Sequence, residues 1–178
     1  MIQTPITLFV ITTLMYSCKS PEARMPESVK TGAFLVESAE RNKKLNAREQ
    51  EAIEKMIADS PSIEYLASES GFWYFYTNKI EGDSVQPEFG DVIDFEFNVS
   101  NLQGEEIYGT ANRTYVMDKE ELFTGLREGL KLMKPSERVT FIFPSQKAFG
   151  YYGDDNKIGT NVPLICEVTL NTIMKNND

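Results

Sequence analysis

The sequence predicts an α+β domain, an antiparallel half-barrel of five or six strands wrapped on one short helix, with a helical extension before it. Three observations lead to that architecture. Residues 33–58 are helical in composition, residues 93–99 alternate strictly between apolar and polar, and the stretch from Glu121 to Gly153 reads as helix, turn, strand and aromatic-glycine loop. With 178 residues and a hydrophobic fraction of 41%, the chain has room for one ordinary domain plus an extension.

Residues 2–17 carry no charge and hold an apolar run from Ile6 to Tyr16. That run is shorter than the roughly 20 residues that span a bilayer, and it suits the core of a signal peptide. Ser17, a small residue, stands before Cys18, and the segment resembles a bacterial lipoprotein cleavage site. The resemblance implies removal of residues 1–17, lipid on Cys18 and a periplasm-facing lipoprotein of the cell envelope, held to the membrane by that lipid. Met15 departs from the usual leucine, and no Lys or Arg precedes Leu8. The competing reading leaves Cys18 as an ordinary residue after an anchor. Residues 18–32, rich in Ser, Pro, Glu and Lys, form a flexible tether.

The helical extension is expected over 33–70. Asn46 can cap a second helix there, with Glu49 as its capping-box partner, and Asp59-Ser60-Pro61 closes it. Packing on the following domain is the plain role of this segment, and dimerisation the sharper one. From Gly71 onward, a domain over 71–178, the period changes to strand. Phe72-Trp73-Tyr74-Phe75-Tyr76 is strongly β-forming, and Gly82-Asp83-Ser84 turns the chain. Ile93, Phe95, Phe97 and Val99 alternate with Asp94, Glu96 and Asn98 in a half-buried strand. Gln103-Gly104 turns the chain again, Glu106-Ile107-Tyr108 starts a returning edge, and Thr114–Met117 is a further short strand.

Leu122, Phe123, Leu126, Leu130 and Met133 recur at helical spacing, and Pro135 is expected to stop that helix. Arg138–Phe143 is β-branched and aromatic, Ala148–Gly153 forms a loop with two glycine hinges, and the last strand is expected from Val162 to Ile173. Cys166 falls in that strand and reads as a buried thiol without a disulfide partner.

Composition excludes several functions. A net charge of −9 without a basic cluster argues against nucleic acid. The absence of histidine removes His-dependent catalysis and most zinc sites. No metal or cofactor is implied, since Gly153-Asp154-Asp155-Asn156 lacks calcium-loop spacing and reads as a solvated loop tip.

The segment Leu122–Leu130 (LFTGLREGL), the following strand and Ala148-Phe149-Gly150 together resemble the FKBP-type peptidyl-prolyl isomerases over roughly residues 71 to 175. The resemblance implies catalysis of cis–trans exchange at Xaa-Pro bonds in proline-containing protein clients. It places Phe97 on the pocket wall, Leu126 on the floor and Phe149 on the rim as the catalytic residues. Ile107, Tyr108, Tyr115, Leu122 and Phe123 complete the substrate pocket. Two departures stand out. Phe97 and Phe149 replace tyrosines of the family, and Ile107-Tyr108-Gly109 replaces an aromatic-Asp-Ser motif whose carboxylate reaches the pocket. Losing two or three hydrogen bonds worth ~1 kcal/mol each would weaken binding about tenfold to a hundredfold. The expectation is therefore weak isomerase activity with poor affinity for macrolide inhibitors, or a non-catalytic binding module. The lipoprotein-like start together with Gly71–Tyr76 (GFWYFY) further resembles gliding-motility-associated FKBP-type lipoproteins, which implies partners in an envelope motility or secretion apparatus.

Overall fold

The computed structural model describes residues 31–82 and 85–176, so the expected leader, Cys18 and most of the tether lie outside the described residues, as do Asp83 and Ser84. The first element, α1, is one unbroken helix of 28 residues, Thr31–Ala58. No glycine or proline falls between Gly32 and Pro61, so nothing in the backbone interrupts it. The expected second start at Asn46 is corrected accordingly. Asn46 lies in mid-helix and its amide donates to Gln146 Oε1 at 3.1 Å, while Glu49 turns its carboxyl group to Ser145. Both side chains that would have capped a helix are thus spent on long-range bonds. The end agrees with expectation, with Asp59 N–H bonding Lys55 O and Ser60 N–H bonding Ile57 O just before Pro61. Ile53, one turn beyond Glu49 on the same face, is fully buried.

Six strands follow: β1 Leu66–Ala67, β2 Trp73–Asn78, β3 Val92–Ser100, β4 Glu106–Val116, β5 Arg138–Phe143 and β6 Leu164–Met174. They form one antiparallel sheet in the order β1-β2-β5-β6-β3-β4. Leu66 and Ala67 pair with Tyr74 and Trp73, so the sheet begins before Gly71. The two short segments expected at Glu106–Tyr108 and Thr114–Met117 are a single strand, β4. Its register slips between Phe97↔Ala111 and Val99↔Tyr108, so one extra β4 residue is taken up there. The polar run Gly109–Arg113 across that bulge hid the continuity.

A seven-residue helix, α2 (Thr124–Leu130), crosses the apolar face with Gly125, Leu126, Gly129 and Leu130 buried. The two glycines let it approach β5. A Cβ on Gly125 would lie 2.5 Å from Phe143 Cδ1 and 2.7 Å from the Lys147 carbonyl, and one on Gly129 would lie 2.8 Å from Phe141 Cε1. Phe141 and Phe143 stack against each other at 5.5 Å below this seam. The helix is shorter than its spacing suggests. Phe123 is still extended (φ −63, ψ 145), so Leu122 and Phe123 precede it. After Leu130 the chain tightens into bonds from Leu132 N–H to Gly129 O and Met133 N–H to Leu130 O, ahead of Pro135.

The core gathers Phe72, Ile93, Phe95, Leu126, Leu130, Met133, Phe141, Phe143 and Leu170 around this helix. Cys166 lies there fully buried, and burial pushes its thiol well above the ordinary range, which keeps it inert. No helix among the described residues is long and apolar enough to cross a membrane.

Candidate active site

Between the sheet and the entrance of α2 opens a cleft of about 630 Å³. Strand β3 contributes Phe97 and Val99, and β4 contributes Tyr108, Gly109, Ala111 and Arg113. The segment leading into α2 adds Glu121, Leu122 and Phe123, and the long β5–β6 connection adds Phe149 and Ile158. The extended backbone at Phe123 holds its ring out of the helix, 5.2 Å from Phe149 and 5.4 Å from Phe143. Phe97 rests at 5.4 Å on Phe95 of the core. Aromatic rings at such separations make favourable offset or edge contacts, so the apolar walls brace one another.

Of the eight side chains expected around the pocket, Phe97, Tyr108, Leu122, Phe123 and Phe149 line the cleft. Leu126 is fully buried in the core and lies outside the lining. Tyr115 likewise lies in the core. It is fully buried, and its hydroxyl donates to the Glu120 carbonyl at 3.2 Å. Ile107 packs on the core half-buried and is also absent from the lining, its carbonyl accepting from Lys157 Nζ at 3.1 Å. Val99, Ala111, Arg113, Glu121 and Ile158 are additions. Val99 and Ala111 follow from the face shared with Phe97, whereas Ile158 reaches the cleft through loop geometry that no local pattern announces.

The loop is tied at several points. Ser145 O accepts the N–H groups of Ala148 and Gly150, and Gly150 O accepts Asn161 N–H at 2.8 Å. Gly153 has φ +72, and a Cβ there would sit 2.2 Å from the Ile158 carbonyl, so only glycine fits. These glycines fix turns where hinges were expected. Asp154 also departs from the expected solvated tip. Its carboxylate accepts the Tyr108 hydroxyl and the N–H groups of Asn156 and Ile158, at 3.0 Å and 2.7 Å for the last two. A carboxylate therefore does reach the pocket wall, supplied by the loop and met by a hydroxyl on β4. The bond to Asp154, with burial, raises the Tyr108 hydroxyl above its ordinary value, so it stays a donor. Burial works against ionisation of Asp154, but the Tyr108 hydroxyl and the Ile158 and Asn156 N–H groups together hold its carboxyl below the ordinary carboxylate value.

Because that value is lowered, the bonds persist above the unfolded carboxylate range, near 3.9, and are lost as pH falls through the lower folded value. Tyr108→Phe is expected to speed amide exchange at Asn156 and Ile158 about fivefold at neutral pH, the effect of one lost hydrogen bond. The variant's effect should vanish in acid, where Asp154 is protonated in both proteins. Equal exchange in wild type and variant at neutral pH would show that the bond does not hold the loop.

An open antiparallel sheet on a short helix, with an aromatic cleft at the helix entrance, defines an FKBP-like α+β domain. The FKBP-type peptidyl-prolyl cis-trans isomerase family model matches residues 83–171, half of the chain, and the protein belongs to that family. It is 29% identical over 140 residues to the "Probable FKBP-type peptidyl-prolyl cis-trans isomerase FkpA" of Neisseria meningitidis serogroup B, across 78% of this chain and 50% of that relative. The chain thus spans about half the length of this curated relative. Among solved structures, FkpA from Escherichia coli superposes with TM-score 0.60 at 18% identity, over 95% of this chain and 81% of its own. A peptidyl-prolyl cis-trans isomerase from Pseudomonas syringae pv. tomato gives TM-score 0.60 at 16% identity, over 75% of this chain and 96% of its own.

Proposed function

We propose that the protein accelerates cis–trans isomerisation of Xaa-Pro bonds in exported proteins, with Phe97, Phe123 and Phe149 enclosing the proline ring. The supporting observation is an aromatic cleft whose rings pack against one another around an open space large enough for a dipeptide and its neighbours. Rotation about a prolyl amide meets a barrier of ~20 kcal/mol that arises from resonance across the C–N bond. Water bonded to the carbonyl favours the planar, charge-separated form. An apolar enclosure removes that water and holds the twisted amide, which has lost its resonance, more tightly than the planar one. That differential binding is what lowers the barrier, and it needs no nucleophile, metal or histidine.

A second reading is favoured by Phe97 and Phe149, which offer no hydroxyl to a client carbonyl, and by Tyr108, whose hydroxyl is engaged by Asp154. On that reading the cleft binds proline segments without turning them over. The purified full-length chain separates the two. Faster equilibration of short Xaa-Pro peptides supports the enzyme, and binding with an unchanged rate supports the module.

Lipidation of Cys18, attachment to the cell envelope and service to a motility or secretion apparatus belong to the same proposal and rest on the sequence resemblances. Mass spectrometry of the native protein tests the first of these. An unmodified Cys18 with residues 1–17 still attached would remove it.

A further inference from the structure

One cleft residue breaks the pattern of its strand. On β4, Ala111 pairs with Phe97, Arg113 with Phe95 and Tyr115 with Ile93, so all three occupy the sheet face that carries the core. The alternation calls for an apolar side chain at each of these positions, and Arg113 is a half-buried cationic residue there.

It is held in place, but not neutralised. Its Cζ lies 5.6 Å from the centre of the Tyr115 ring, and its Nη2 donates to the Glu121 carbonyl oxygen at 2.7 Å. No carboxylate among the described residues lies within ion-pair distance of it. A guanidinium carries five N–H donors, and this one spends a single donor on a neutral acceptor. The nearby carboxylates do not serve it. Asp154 is occupied by Tyr108 and two backbone N–H groups, and Glu121 holds Arg113 through its main chain while its own carboxylate stays exposed. A planar, weakly hydrated cation fixed at the wall of an apolar cleft suits bidentate recognition of a carboxylate.

We infer that Arg113 sets client preference, taking an acidic side chain of the client one or two residues from the bound proline. The inference deepens the proposed function and uses the same cleft, but it requires only binding there, not turnover. The chain as a whole carries −9 and repels acidic clients at long range, so the selectivity is local. It should act on bound lifetime more than on encounter.

The test uses the full-length chain and matched peptides Ala-Xaa-Pro-Phe and Ala-Ala-Pro-Xaa, with Xaa as Glu, Gln or Lys. Dissociation constants come from titration at low salt, and isomerisation rates are read on the same samples. In at least one of the two series, glutamate should bind about fivefold to tenfold more tightly than lysine, with glutamine between, and the spread should shrink in molar salt. Arg113→Gln should abolish the order, Arg113→Lys should restore part of it, and Glu121→Gln should widen it. The lysine variant also answers the case in which the glutamine variant fails to fold. Equal binding of all three residues in both series, or an unchanged order in Arg113→Gln, overturns the inference. An order of binding without any rate acceleration removes the isomerase reading and leaves the role of Arg113 standing. Acceleration without charge order does the reverse.

Discussion

Replacing Phe149 by alanine is expected to lower kcat/KM for prolyl peptides about tenfold to a hundredfold while leaving the fold intact. Phe149 is half-buried at the cleft, and its ring meets Phe123 at 5.2 Å. Removing a large apolar side chain forfeits roughly 1.5–3 kcal/mol of contact with whatever fills the cleft, and each 1.36 kcal/mol is about tenfold in rate. The backbone around it does not depend on that ring, because Ser145 O, Gly150 O and Asp154 organise the loop. The loss should therefore appear in kinetics and peptide affinity, with near-native far-ultraviolet dichroism. An unchanged kcat/KM in a folded variant would place catalysis elsewhere.

The second large effect is on stability and comes from α1. The Glu49 carboxyl group is almost entirely buried and accepts both Ser145 N–H, at 2.8 Å, and Ser145 Oγ–H, at 2.7 Å. Glu49→Ala leaves two buried donors without a partner, each at a cost of about 1–3 kcal/mol, partly offset because a buried carboxyl group no longer has to be desolvated. The expected net loss is about 2–3 kcal/mol, read as a lower denaturant midpoint with an unchanged slope. Ser145 O in turn carries the N–H groups of Ala148 and Gly150, so the same variant should loosen the rim beside Phe149 and raise KM. A variant as stable as wild type would mean that water replaces the carboxyl group without cost.

These two residues also mark how far the sequence was legible. Phe149 could be read from Ala148-Phe149-Gly150, since an aromatic between small residues is a poor choice for a core and a good one for a rim. The alternation of Ile93, Phe95, Phe97 and Val99 was enough to orient β3, and the Gly125–Gly129 spacing marked the helix that lies against β5. Glu49 was misread because its local context, three residues after Asn46, suits a capping box, while its true partner Ser145 is 96 residues away. Asp154 and Ile158 were missed for a related reason. Their places depend on the turn at Gly153 and on a hydroxyl from β4, neither of which leaves a periodic trace. Leu126 and Tyr115, which the family resemblance places in the pocket, are fully buried in the core. Apolar spacing identified them correctly as inward-facing, but inward along this sheet leads to the sealed core for some residues and to the open cleft for others. Arg113 lay outside the short strand expected from Thr114, and only the register of β4 against β3 puts it on the core face.

The proposed activity requires the aromatic cleft to be the place where a prolyl bond is held and turned. The most direct measurement is nuclear magnetic resonance of the isotope-labelled chain with a short Leu-Pro peptide, reading protein shifts together with exchange between the peptide's cis and trans signals. Shifts are expected at Phe97, Val99, Phe123 and Phe149, with exchange cross-peaks that grow with protein concentration. Shifts confined instead to a separate groove lined by Ile63, Leu66, Phe75 and Tyr76, or no exchange despite saturation of the aromatic cleft, would contradict that assignment.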